Sequence, residues 1–170
     1  MIRETATARC LMQMALAAVL ITNVADAAEI FVGRVTAVPD GDTLWVQPQD
    51  ASAARKLRLL GIDAPEICQP GGQAARAALQ ALVASGTVSV EVRYRDDYGR
   101  GLARVQVGQQ DIAATLVRSG HAWSNRWKHS LGPYAAEENA ARLARAGLFA
   151  TTNPELPRDF RKRHGSCYLP

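Results

Sequence analysis

The sequence predicts an α+β protein built mainly on a five-stranded β barrel, and three observations carry that prediction. Residues 87–95, TVSVEVRYR, alternate apolar and polar side chains with a period of two. Turn-forming clusters, PDGD, QDASAA and DDYGRG, separate stretches rich in β-branched and apolar residues. One alanine-rich stretch, GGQAARAALQALVAS, has Leu79, Leu82 and Val83 at helical spacing and falls between the third and fourth of those stretches.

Each element follows from its local chemistry. Glu29 to Val38 is rich in β-branched residues, PDGD supplies a turn, and TLWVQP resumes extended character, which reads as a hairpin. After QDASAA, RKLRLLGI makes a third strand in a meander. The alanine-rich helix follows, with Gly86 as its C-cap. TVSVEVRYR and LARVQV, joined across DDYGRG, are the fourth and fifth strands. Two further helices are predicted. DIAATLVRSG stops at Gly120, and PYAAEENAARLARAG has Pro133 near its first position and Gly147 at its end. The tail TTNPELPRDFRKRHGSCYLP holds three prolines and no periodicity, and is expected as an ordered coil held against the domain at Cys167. The order β-β-β-α-β-β is that of an OB-fold, a Greek-key barrel used to bind oligonucleotides and oligosaccharides, here with three helices, although a different five-stranded barrel can share it.

The ends of the chain carry separate information. MIRETATARC has two arginines, LMQMALAAVLIT is an apolar run of twelve residues, and VADA ends in a small-x-small pattern. Residues 1–27 are therefore expected to be a signal peptide cleaved after Ala27, leaving a domain over 28–150 and a tail over 151–170. A membrane anchor is the other reading, but the run falls short of the roughly 20 residues a spanning helix needs. The expected location is secreted or periplasmic, with no stable membrane association after cleavage. Removing the segment takes away two charges of each sign, so the net charge stays at +4. A basic balance fits a polyanionic partner without requiring one. Cys10 leaves with the segment, and Cys68 and Cys167 remain. In an oxidising compartment a disulfide is the default reading. Two free thiols or a partial metal site are the alternatives, although no CxxC or His cluster gives a zinc pattern.

Candidate functional residues gather in VPDGDTLWV and LRLLGIDAPE. A strand that only packed a core has no use for Asp42, Arg58, Asp63 and Glu66 within so short a stretch. Asp42 at the start of the second strand and Asp63 at the end of the third can meet at one end of a barrel. Two carboxylates with a carbonyl nearby suit a hard cation, Ca²⁺ before Zn²⁺, whereas DGD alone also fits a solvated turn. If Leu57 and Leu59 share one face, Arg58 points to the other, either as an ordinary exposed cation or, where that face is the barrel interior or binding groove, as a bidentate phosphate ligand. Glu66 follows a proline that turns it back toward the metal, where a carboxylate near a bound water is a general-base candidate. The DDYGRGLA turn adds Tyr98 and Arg100. His121, His129 and His164 lie outside this group and read as surface residues.

DGDT, LRLLGIDAPE and DDYGRGLA, in this order and with a helix between the second and third, resemble the staphylococcal nuclease (thermonuclease) family over roughly Ile30 to Phe149. The resemblance implies an OB-fold, Ca²⁺-dependent endonuclease that hydrolyses DNA and RNA with low sequence specificity and leaves 3′-phosphate ends. It places the metal ligands on Asp42, Asp63 and the Ala64 carbonyl. It places the general base on Glu66, the catalytic arginines on Arg58 and Arg100, and a phosphate or base contact on Tyr98. The expected protein is a monomer. The family's usual threonine is Ala64 here, and the lysine often found before the tyrosine is Asp97. The long mobile loop after the glutamate in the family prototype is replaced by the short ICQPGG with Cys68. A tyrosine-bearing segment is replaced by HAWSNRWKHS, where Trp123 or Trp127 takes the stacking role, or Trp123 lies in the core. The alternative to a nuclease is a non-catalytic OB-fold module for nucleic-acid binding or protein interaction. Retention of all five carboxylate and arginine residues favours the enzyme.

Overall fold

Alternation drives the strands of the barrel. In β1 (Glu29–Ala37), β2 (Thr43–Pro48) and β3 (Arg55–Leu59), neighbouring strands pair antiparallel as the predicted meander. The computed structural model describes residues 28–126, 128–165 and 167. Beyond a two-residue strand β4 (Ile62–Asp63), β5 (Thr87–Arg95) returns alongside β1 and pairs with β6 (Gly101–Val107). Closure comes from β6 running parallel to β3, with Leu57 opposite Gly101 and Leu59 opposite Ala103. Five strands thereby form the closed OB-type barrel that the element order predicts, which leaves their edges paired. The inward residues Leu44, Val46, Leu57, Leu59, Val88, Val90 and Val105 are fully buried. Each such side chain contributes about 1.5–3 kcal/mol relative to exposure.

Helices extend the barrel core, with buried residues of the first two joining the strand residues in one cluster. α1 (Gly72–Leu82) buries Ala75 and Leu79, its small residues allowing close approach. A short β7 (Gln110–Asp111) leads into α2 (Ile112–Arg118), whose N-terminus is capped by Asp111 accepting from the Ala114 N–H at 3.0 Å. β8 (Trp123–Ser124) pairs with β4. α3 (Ala135–Leu143) ends before Gly147, because Arg145 turns to a positive φ of 52° and the chain enters a 3₁₀ turn at Gly147–Ala150. Trp123 takes the core alternative, buried and edge-on to Phe149 at 6.1 Å between ring centres.

The tail departs from the expected coil and brings the helix count to four. α4 (Pro157–His164) forms there because proline at the first helical position gives up only an N–H that would be unpaired anyway. Asp159 in its first turn and the Arg161 to His164 basic run in its last turn match the helix dipole. Pro157 and Phe160 are buried, so packing stabilises what periodicity did not announce. The tail is held at Cys167 as expected, through a disulfide to Cys68. His129 and His164 are exposed, whereas His121 is half-buried and burial lowers its pKa. The predicted signal segment and Trp127 lie outside the described residues. Among the described residues no helix is long and apolar enough to cross a membrane.

Candidate active site

The β2–β3 register sets Thr43 opposite Arg58, and the Leu59 N–H donates to the Asp42 carbonyl at 2.8 Å. Leu57 and Leu59 face the core, so Arg58 projects the other way, beside Asp42. The two-residue β4 then delivers Asp63. The Arg58 guanidinium lies between the two carboxylates: Nη1 donates to Asp42 Oδ1 at 2.8 Å, and Nη2 is 2.8 Å from Asp42 Oδ2 and 2.7 Å from Asp63 Oδ1. Asp42 also accepts from the Ala64 N–H and from Thr43 Oγ1, both at 3.1 Å. Burial pushes the Asp42 and Asp63 carboxyls above the usual carboxylate range, outweighing the opposing pull of Arg58. Burial also works against the charged form of Arg58, but Asp42 and Asp63 outweigh it and raise its pKa.

Two glycines let the surrounding loops close on this cluster. A Cβ on Gly41, between Asp40 and Asp42, would stand 2.6 Å from the Ala75 Cβ and 2.9 Å from the Ala64 Cβ. One on Gly72, the first residue of α1, would stand 1.9 Å from the Glu66 carbonyl oxygen. The Glu66 segment therefore packs directly against the start of α1. Its backbone is pinned by Gln69, whose Oε1 accepts from the Glu66 N–H at 3.1 Å and whose N–H donates to the Glu66 carbonyl at 2.8 Å.

Arg100 comes from the turn between β5 and β6, where Asp96 organises the loop. Asp96 accepts from the backbone N–H groups of Tyr98 and Arg100 at 3.0 and 2.9 Å, and its Oδ2 takes the Arg100 Nε at 2.7 Å. Burial acts to raise the Asp96 pKa, but these hydrogen bonds and the Arg100 charge outweigh it and lower the value. The Arg100 guanidinium lies 5.4 Å from the centre of the Tyr98 ring, and Tyr98 itself is 85% exposed. Asp97, on the same turn, is exposed.

These groups line one cleft of about 680 Å³, whose walls include Asp42, Arg58, Ala64, Glu66, Tyr98 and Arg100. The structure thus brings the sequence-predicted set together, with Asp63 bonded to Arg58 beneath it. It adds Asp40, Lys56 and Arg161 to the walls. Arg161, on α4, donates from Nη1 to Glu66 Oε1 at 2.6 Å and approaches Asp63 Oδ2 at 3.5 Å. The basic run RDFRKRH beside Cys167 was the only trace of it in the sequence. Asp96 and Gln69 were also missed, because a turn's internal bonding is not read from residue types alone.

The donor chemistry fits a hard cation. Asp42 and Asp63 are close enough to share one guanidinium nitrogen, and among the described residues lining the cleft there is no His or Cys. Among the described residues no three His, Cys, Asp or Glu side chains form a metal cage. A cation there would rest on the two aspartates and fill its shell with carbonyl, water and substrate oxygens.

A closed five-stranded barrel with paired aspartates, a glutamate and arginines on one polar cleft defines a narrow class of protein. The chain belongs to the family described as Staphylococcal nuclease homologue, whose profile matches residues 56–151. It is similar to "Probable staphylococcal-like nuclease CAN2" of Oryza sativa subsp. japonica, 36% identical over 115 residues that cover 66% of this chain and 31% of the rice protein. It is also similar to an "Uncharacterized endonuclease" of Escherichia coli O157:H7, 36% identical over 132 residues covering 77% of this chain and 85% of that protein. An "Uncharacterized endonuclease" of Haemophilus influenzae is 35% identical over 131 residues, 76% of this chain and 72% of that protein. The chain spans less than a third of the length of the rice relative. Asp42 precedes the profile-matched segment and Arg161 follows it.

Proposed function

We propose that the protein is an exported, monomeric, Ca²⁺-dependent endonuclease that hydrolyses phosphodiester bonds of DNA and RNA with low sequence specificity and leaves 3′-phosphate ends. The observation that carries the reading is the joint placement of Asp42, Arg58, Glu66 and Arg100 on one polar cleft, with Asp63 bonded to the Arg58 guanidinium. A binding module has no use for a buried Asp42 and a partly buried Asp63 beside a further carboxylate and two arginines.

In this reading Asp42, Asp63 and the Ala64 carbonyl hold Ca²⁺. When bound, the ion supplies Lewis-acid polarisation of a phosphate oxygen. Glu66 orients a water and takes its proton as the water oxygen attacks phosphorus and the bond to the 5′ oxygen breaks, the departing oxygen taking a proton from solvent to leave as a 5′-hydroxyl. Arg100, steadied by Asp96, meets the negative charge gathering on the phosphate oxygens, and Arg58 holds the aspartate pair while adding positive charge beneath the phosphate. Tyr98, exposed at the cleft mouth, contacts a neighbouring phosphate or base. The test is a zymogram on DNA and RNA with Ca²⁺ and with a chelator, followed by end analysis of the products. Ca²⁺-dependent clearing with 3′-phosphate ends supports the reading. Oligonucleotide binding without cleavage replaces it with the OB-fold binding module.

A further inference from the structure

The tail meets the catalytic segment at Glu66, Cys68 and Gln69, and Arg161 also approaches Asp63 Oδ2 at 3.5 Å. The Cys68–Cys167 disulfide joins the two covalently, with 5.7 Å between the Cα atoms. Gln69, which already pins the Glu66 backbone, donates from Nε2 to the Glu155 carbonyl at 2.7 Å. Arg161 donates to the Glu66 carboxylate itself. One tie comes from α4 and the other two from the residues flanking it, and the helix is anchored on its own account. Phe160, the neighbour of Arg161, is buried, and Glu155 pairs with Arg163. A helix turns about 100° per residue, so seating Phe160 in the protein fixes the direction in which Arg161 leaves the helix.

The contact divides the carboxylate. Oε1 is held by Arg161, while among the described residues no hydrogen bond reaches Oε2. A glutamate side chain has three torsions, and one bond at Oε1 removes most of that freedom while leaving a second oxygen of this cleft-lining residue available. Such a restraint is what a general base needs, because misplacement of a reacting group by about 1 Å costs up to about 100-fold in rate.

We infer that Arg161 is a positioning residue for Glu66 and that the disulfide-tethered tail helix is a working part of the active site. The inference rests on the nuclease reading. Arg161 acts through Glu66 rather than on the substrate, so its loss lowers kcat and leaves substrate binding in place.

The test compares purified wild-type protein, Arg161→Ala, Arg161→Lys, Glu66→Gln and the Arg161→Ala/Glu66→Gln double variant, all with the disulfide intact. Cleavage of a single-stranded DNA oligonucleotide is followed in Ca²⁺, and affinity for the same oligonucleotide is measured by fluorescence anisotropy in chelator. The expected result is a kcat about 10- to 100-fold lower in Arg161→Ala, with KM and the metal-free affinity changed less than about threefold. Arg161→Lys recovers part of the loss, and Arg161→Ala adds nothing on the Glu66→Gln background. Circular dichroism and the thermal midpoint of each variant separate this pattern from failure to fold, and Arg161→Lys carries the test if the alanine variant unfolds. An unchanged or increased kcat overturns the inference. So does a loss confined to KM and affinity, or an additive loss on the Glu66→Gln background, either of which makes Arg161 a phosphate contact. If wild-type protein cleaves nothing, the nuclease reading fails instead.

Discussion

Replacing Cys68 and Cys167 together with serine removes the tether while keeping the size and polarity of each position. The bond joins residues 99 apart in the chain. In the chain-entropy account, closing a loop of that length in the unfolded state is worth roughly 4.7 kcal/mol at 25 °C. The folded tail retains other anchors without it, since Pro157 and Phe160 stay buried and Gln69 still bonds the Glu155 carbonyl. The loss therefore falls mainly on the unfolded ensemble, which gains freedom, rather than on native contacts. With a urea slope of about 2 kcal/mol/M, the midpoint falls by about 2 M. The slope itself rises slightly, because the uncrosslinked chain exposes more surface. Urea titration followed by tryptophan fluorescence and by far-ultraviolet circular dichroism measures both quantities, Trp123 being buried against Phe149. A midpoint shift under about 0.5 M with coincident two-state transitions would refute the reasoning, since a cross-link of this span would then not constrain the unfolded chain.

Other outcomes follow from the proposed chemistry of the site. Glu66→Gln keeps size and hydrogen bonding while removing the base, so hydrolysis falls by about 10²- to 10⁴-fold and oligonucleotide binding persists, read by single-turnover cleavage and anisotropy. Because burial raises the Asp42 and Asp63 carboxyls, a Ca²⁺ ion held as proposed would face competition from protons up to a higher pH than at ordinary aspartates. Calorimetric Ca²⁺ affinity is expected to fall as pH drops toward and through that raised range, and Asp42→Ala weakens it at every pH. The same raised values mean that the ionised pair costs folding stability above the folded-state pKa, a cost relieved as the pH falls. Gly41→Ala forces its new methyl group against Ala75 and Ala64, and a destabilisation of about 1–3 kcal/mol by denaturant titration is expected, with cleavage impaired as the loop carrying Asp42 shifts.

Local pattern determined much of this protein. The period-two alternation of TVSVEVRYR became β5 residue for residue, because which side faces the core is decided by neighbours two positions away. Leu57 and Leu59 turned inward, so Arg58 had to face the other way, and DGD had to turn the chain ahead of β2. The carboxylate and arginine set was legible for the same reason, since its members sit at strand ends and turns whose chemistry is local. What Arg58 meets was not legible. It depends on the register that sets Thr43 opposite Arg58 and on β4 carrying Asp63 to the same guanidinium. α4 was hidden because a short, strongly polar helix is stabilised by the burial of Pro157 and Phe160, which no local period announces. Arg161 lies 95 residues from Glu66, and only the path of the whole chain, fixed by barrel closure and the Cys68–Cys167 bond, places its charge on that carboxylate.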